Sequence, residues 1–244
     1  MRDSDIILFM KIGRREHLQS MQNGILRFNP LEIYRVIENE THVKGRGDEY
    51  EGTLVITDIN ITLQRHDNGE TITFHADSIN YQNDAYSKLP ILCLSYIDDQ
   101  NLEVRDETDK YIDWNIIFSD DQKRELRKFG DSVLVILANV FINKLREVLL
   151  KHQLKYIADR VDYYDFSIND SDRIQRYIQG NPKAVFCKDK FFEPQKEFRI
   201  LILNKEIKEA MTIDIGAMTD YSALLPLEDF LEGGFGLKLN FANS

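Results

Sequence analysis

Between positions 191 and 203 the chain reads Phe191-Phe192-Glu193-Pro194-Gln195-Lys196-Glu197-Phe198-Arg199-Ile200-Leu201-Ile202-Leu203, a polar entry leading directly into an apolar strand. No other stretch constrains the fold as strongly. Side chains two apart on a strand share a face, so Gln195 and Glu197 are expected to project together while Phe198, Ile200 and Ile202 pack on the other side. A strand this apolar belongs against a core, where a carboxylate is costly unless paired. Glu197 therefore has two readings. It either pairs with Arg199, its same-face neighbour on an edge strand, or serves a site together with Gln195. The plainer reading of Gln195 is a solvent-facing strand start after Pro194.

The rest of the chain supplies the elements that such a strand needs. Positions 5–11 read as an opening strand, 14–23 as a helix with Leu18 and Met21 on one side and Gly24 as its stop, and 25–28 as a short second strand. Pro30 favours a helix start carrying Leu31, Ile33, Tyr34 and Ile37. Strands are expected at 53–56, 60–64 and 71–75, the last two joined by a turn at Asp67-Asn68-Gly69. Positions 91–97 form a nearly continuous apolar run, expected as a central buried strand, and the acid-rich 98–109 is expected as an exposed excursion. Ser119 and Gln122 fit a capping box, and 132–137 reads as a strand. A longer helix over 139–152 places Val140, Phe141, Leu145, Val148 and Leu149 on one stripe. A strand over 155–162, a helix over 170–178 capped by Asp170, strands at 184–188 and 211–215, and a helix within 221–231 complete the pattern. Strands and helices without a repeat or a composition break predict one α+β domain spanning 1–244.

A formal charge of −10 argues against a nucleic-acid partner, because neutralised phosphates supply most non-specific affinity. The basic positions Lys123, Arg124, Arg127 and Lys128, and Lys144, Arg146, Lys151 and Lys155, alternate with acids and read as solvated helix faces. Apolar runs fall far short of the roughly 18–20 residues that cross a bilayer, so no membrane partner is expected. No secretory signal is read ahead of the first strand, and Cys93 and Cys187 lack metal spacing. They read as free buried thiols of a cytoplasmic protein.

Other chemistry-bearing residues are weaker. Asp48, Glu49 and Glu51 cluster between glycines, a loop tethered by Arg–carboxylate pairs or, with Glu197, the acids of a metal-dependent nuclease. The histidines His42, His66, His75 and His152 lack partner spacing, whereas His17 lies near Arg14 and Arg15 on the first helix. Phosphate-loop, dinucleotide-fold and nucleophile-elbow glycine patterns are not found.

Several islands resemble a known family. They are Lys11-Ile12-Gly13 with Glu16-His17-Leu18, then 24–30 (GILRFNP), 46–52 (RGDEYEG), Phe186-Cys187-Lys188-Asp189, and Gln195-Lys196-Glu197-Phe198-Arg199. Their order is similar to that in a broad group of prokaryotic proteins set in bacterial and phage conflict, and to the ADP-ribosyltransferase superfamily. The shared elements are a strand, a helix closed by Gly, a second strand, and later a Gln-x-Glu heading a strand. The resemblance implies cleavage of the nicotinamide–ribose bond of NAD through an oxocarbenium-like state, which a carboxylate stabilises. It implies Glu197 as the catalytic acid and Gln195 as the acceptor-side residue. Lys11 and Arg14 would meet phosphates, His17 the cleft, and Ser95 would stand where the family carries Ser-Thr-Ser. Lys11 occupies the place of the family's first-strand Arg or His, and a lysine lacks the bidentate geometry of arginine.

The expectation is thus an α+β protein with a mixed or antiparallel split sheet and flanking helices, ADP-ribosyltransferase-like, with NAD as substrate and a nucleotide or protein acceptor. The rival is a non-catalytic acidic protein that sequesters a protein partner or a nucleotide.

Overall fold

A computed structural model describes residues 6–41, 45 and 47–241. Its strands are β1 (Ile6–Gly13), β2 (Ile25–Pro30), β3 (Thr53–Gln64), β4 (Thr71–Gln82), β5 (Pro90–Asp98), β6 (Leu102–Glu107), β7 (Tyr111–Ile116) and β8 (Ser132–Leu137). They continue with β9 (Tyr156–Arg160), β10 (Asp162–Tyr164), β11 (Cys187–Asp189), β12 (Glu197–Ile202), β13 (Met211–Asp214), β14 (Ser222–Pro226) and β15 (Gly236–Asn240). The helices are α1 (Arg15–Gln22), α2 (Ile33–Thr41), α3 (Asp84–Ser87), α4 (Asp120–Leu126), α5 (Ala138–Lys151), α6 (Ser171–Ile178) and α7 (Leu227–Leu231). The fold class is α+β, with open antiparallel sheets, one short parallel pair (β10–β11) and flanking helices.

The chain groups into two compact units. The first takes the described parts of Met1–Pro30, Leu89–Arg160 and Pro194–Ser244, and the second takes Leu31–Lys88 and Val161–Glu193.

The first unit is built on an antiparallel sheet in the order β13-β2-β5-β1-β8-β14, with β12 and then β9 added along β5. The apolar run at 91–97 becomes β5, buried on both faces because it is the strand that the others join. On one face Phe9, Leu94, Phe198, Ile200 and Ile136 pack with Leu18 and Met21 of α1 and with Phe141, Leu145 and Leu149 of α5. Phe9 sits 5.7 Å from Phe141 and 4.7 Å from Phe198, ring centre to ring centre. On the other face Leu8, Met10, Ile97, Val133 and Val135 pack with Leu126 of α4 and with Leu227, Phe230 and Leu231 of α7. The capping box of α4 forms as its sequence predicts. The strand pattern 132–137 stays a strand, and α5 presents the expected stripe.

One edge of β5 is shared. Its residues Ser95 to Asp98 pair with β1, whereas Pro90 and Ile91 pair with β2, so the sheet divides between β1 and β2. The divide is where the Lys11 ammonium reaches β5.

In the second unit β3 and β4 form a long two-stranded ribbon. Its root is tied to the segment after β10: the Asn169 side chain accepts from Thr57 N (2.9 Å) and donates to its carbonyl (2.6 Å). Arg173 of α6 is fully buried, donates to the carbonyls of Val55 (2.7 Å) and Ile168 (3.0 Å), and lies over the Phe166 ring. Asp170 caps α6, as its position predicts.

Several expectations need correction. The strands read separately at 53–56 and 60–64 are one strand, with Asp58 at φ 51° where the pattern breaks. The excursion at 98–109 is exposed only in part, since Asp98 and Asn101 are buried, and it contains β6, which pairs with β7; the glycine stretch after α7 leads into β15. Within 221–231 the first half is strand and only the second half helix. Positions 184–186 form a tight helical turn rather than strand.

Candidate functional site

β12 begins at Glu197, two residues later than a strand headed by Gln195. Gln195 ends a 3-10 turn, and Lys196 takes a left-handed φ of 42°, so strand alternation does not extend from Glu197 back to Gln195. The cause is visible in the Lys196 side chain. Its ammonium donates to Asp98 Oδ1 (2.5 Å) and Asn101 Oδ1 (2.6 Å), which neutralises a buried aspartate. Lys196 and Arg160 both lie over the Tyr96 ring. Gln195 is buried rather than solvent-facing.

Glu197 is 6% exposed and Arg199 1% exposed, on a strand paired on both sides rather than at an edge. Arg199 Nε donates to Glu197 Oε1 (2.8 Å) and its Nη2 to Oε2 (3.2 Å). Both carboxylate oxygens accept from one guanidinium fork, the geometry that makes such pairs directional. Directly across the ladders lie Ser95 opposite Glu197, Cys93 opposite Arg199, and Asp159 of β9 opposite Arg199. Residues directly opposite share a face. The row is thus Ser95 and Cys93, Glu197 and Arg199, then Asp159.

Lys11 enters from the divide in the sheet. Its ammonium donates to the Cys93 carbonyl (2.7 Å), on the edge of β5 between the β1 and β2 pairings. Lys11 is half-buried as a residue, and the enclosed part is its ammonium. Burial pulls its pKa below the ordinary lysine value, opposed by the nearby Cys93 and Glu197. Burial pushes the Cys93 thiol well above the usual cysteine range, and Glu197 adds to that shift against Arg199 and Lys11. A thiol held protonated is a poor nucleophile. Cys187, in the second unit, is pushed up to about 11, chiefly by burial. Both cysteines are free thiols, Cys187 buried and Cys93 half-buried.

The residues expected to hold NAD are divided. Ser95 stands directly across from Glu197 and the Lys11 ammonium is near enough to feel its charge, whereas Arg14 and His17 lie exposed at the start of α1. Cys93 and Asp159 were not singled out from sequence. Cys93 lies two before Ser95 on one strand, a spacing that places it on the same face. Asp159 joins only through the cross-strand register, which no local pattern encodes.

The acidic loop belongs to the second unit. Asp48 and Glu51 are buried there, and Arg35 donates to the backbone carbonyl of Glu51 (2.6 Å). Arg46 and His42 lie outside the described residues. Among the described residues no three His, Cys, Asp or Glu side chains converge as a metal-binding group, and no helix is long and apolar enough to cross a membrane. The basic run at 123–128 is paired with acids: Arg127 reaches Glu228 and Glu232, Lys123 reaches Glu232, and Lys128 reaches Glu125.

No family model, curated protein or solved structure matches this chain.

Proposed function

We propose that this protein acts as a non-catalytic acidic binding protein that sequesters a protein partner. The observation that carries this reading is the occupation of both Glu197 carboxylate oxygens by Arg199 on a central strand. A carboxylate that stabilises developing positive charge must face the reacting sugar, and this one faces a guanidinium that already balances it. Around it, Lys11 is committed to a backbone carbonyl and Cys93 is kept protonated. The net charge of −10 suits recognition of a basic partner, through steering as well as contact.

A second reading keeps ADP-ribosyl transfer, supported by Ser95 standing opposite Glu197 and by the Lys11 ammonium lying within reach of its charge. It requires Glu197 to exchange Arg199 for a ribose hydroxyl. The two readings separate in one assay. Purified protein is incubated with labelled NAD and cell lysate, wild type beside Glu197→Ala, and both label transfer and nicotinamide release are recorded. The binding reading expects neither product from either protein. Label transfer by the wild type that Glu197→Ala abolishes overturns it.

A further inference from the structure

The sequence of α5 sets Asn139, Ile142, Asn143 and Arg146 at i, i+3, i+4 and i+7, a single row along the helix. This row runs beside the apolar stripe of Phe141, Leu145 and Leu149 that packs on the sheet. With the sheet it encloses a cavity of about 100 Å³. The sheet side of the cavity is formed by Ile6 and Phe9 of β1 and Phe198 of β12, all three buried. An apolar floor with a few convergent polar groups at its mouth is the usual build of a small-molecule site.

The mouth decides the charge of the ligand. Asn139 Oδ1 already accepts from Val140 N (2.8 Å). The Asn143 and Arg146 side chains make no hydrogen bond or ion pair among the described residues. Arg160 stands directly across from Phe198, and Tyr96 directly across from Phe9, so both share the face of the floor. The Arg160 guanidinium lies over the Tyr96 ring, and its Nη2 is buried without an acceptor among the described residues. Asp98, across from Ile6 on that face, is 3.8 Å from Arg160 but is already neutralised by Lys196 at 2.5 Å. With Arg146 these groups make three cations against one carboxylate. Such a balance favours an anion, the reverse of what the overall charge of −10 attracts.

Size decides the rest. An apolar cavity of roughly 150 Å³ takes benzene, so about 100 Å³ suits a smaller, branched chain. We propose that this cavity binds a short branched-chain carboxylic acid. The hydrocarbon rests on Phe9, Phe198 and Ile142, and the carboxylate accepts from the Arg146 guanidinium and the Asn143 amide. A guanidinium fork meets a carboxylate through two parallel hydrogen bonds, which fixes the head while the chain enters the floor. The site is distinct from the Glu197 row, because Glu197 and Phe198 alternate to opposite faces of the sheet. It is also independent of the protein partner proposed above.

The test titrates the full chain, with isotope-labelled isoleucine methyls, with 3-methylbutanoate. The titration is repeated with 3-methylbutanamide, with acetate and with inorganic phosphate. The acid is expected to shift the Ile6 and Ile142 methyl signals saturably and to leave those of Ile79 and Ile178 in place. It is expected to bind roughly tenfold tighter than the amide, the increment of one charge-assisted pair. A similar advantage of roughly tenfold or more is expected over acetate, which lacks the chain. Arg146→Gln alters an exposed position and is expected to keep the wild-type melting temperature. It is expected to erase the preference for acid over amide while leaving the affinity for the amide unchanged. Acetate or phosphate binding as tightly as the branched acid overturns the assignment. So does full affinity of Arg146→Gln for the acid, or a titration in which the Ile6 and Ile142 signals do not move.

Discussion

Lys11 shows how a single side chain is fixed by the sheet around it. Its ammonium is enclosed at the divide between β1 and β2 and satisfies the Cys93 carbonyl. Its folded pKa is lowered from the ordinary 10.5 by burial. Between the folded and unfolded values the unfolded chain binds more protons, so stability from this group rises with pH across that window and its penalty is complete below it. Lys11→Met removes the titration. The stability of wild type relative to Lys11→Met, from urea unfolding at a series of pH values, is therefore expected to rise as pH climbs towards 10.5. A difference that is flat or falls with pH contradicts the enclosed placement of this ammonium.

At the scale of elements, two glycines with positive φ do different work. Gly69 closes the β3–β4 turn at φ 73°, and an added Cβ would meet nothing within 4 Å. Gly24 follows α1 at φ 104°, and a Cβ there would lie 2.5 Å from the Gly216 backbone. Gly69→Ala is expected to cost about 1 kcal/mol, the conformational penalty alone. Gly24→Ala should cost more, roughly 3 kcal/mol, because backbone must also move. Melting temperatures of the two variants check the order, and equal losses would contradict it. Both glycines were legible as stops and turns, because their roles are local. So were the caps at Ser119 and Asp170 and the stripe of α5. The length of β4 was not: its alternation changes phase between Ala76 and Ile79, and the two stretches are one strand because both pair with β3. β6 was hidden in the same way, since an acidic segment becomes a strand only when β7 supplies its ladder. At the candidate site the sequence indicated that Glu197 needs a partner and offered Arg199. It could not show that Lys196 turns left-handed to reach Asp98, a contact between positions 98 apart. That long-range ion pair is why Gln195 and Glu197 do not share a strand face.

Over the whole molecule, the charged and apolar groups divide their tasks. Glu197, Arg199, Lys11 and Asp98 are drawn inward and satisfied by one another or by backbone, while the acidic excess and the apolar ribbon face are displayed outward. The reading of this chain as a binder stands on the inner half of that division: the Glu197 carboxylate holds Arg199 in the sheet. A double-mutant cycle of Glu197→Gln and Arg199→Met, followed by denaturant unfolding, measures that directly. Each single variant leaves one buried charge without its partner and is expected to lose about 3 kcal/mol or more. The double variant is expected to recover most of it, for a coupling of about 2 kcal/mol or more. A coupling near zero, with the Glu197→Gln variant as stable as wild type, would mean that the carboxylate is free of Arg199 and would contradict the account.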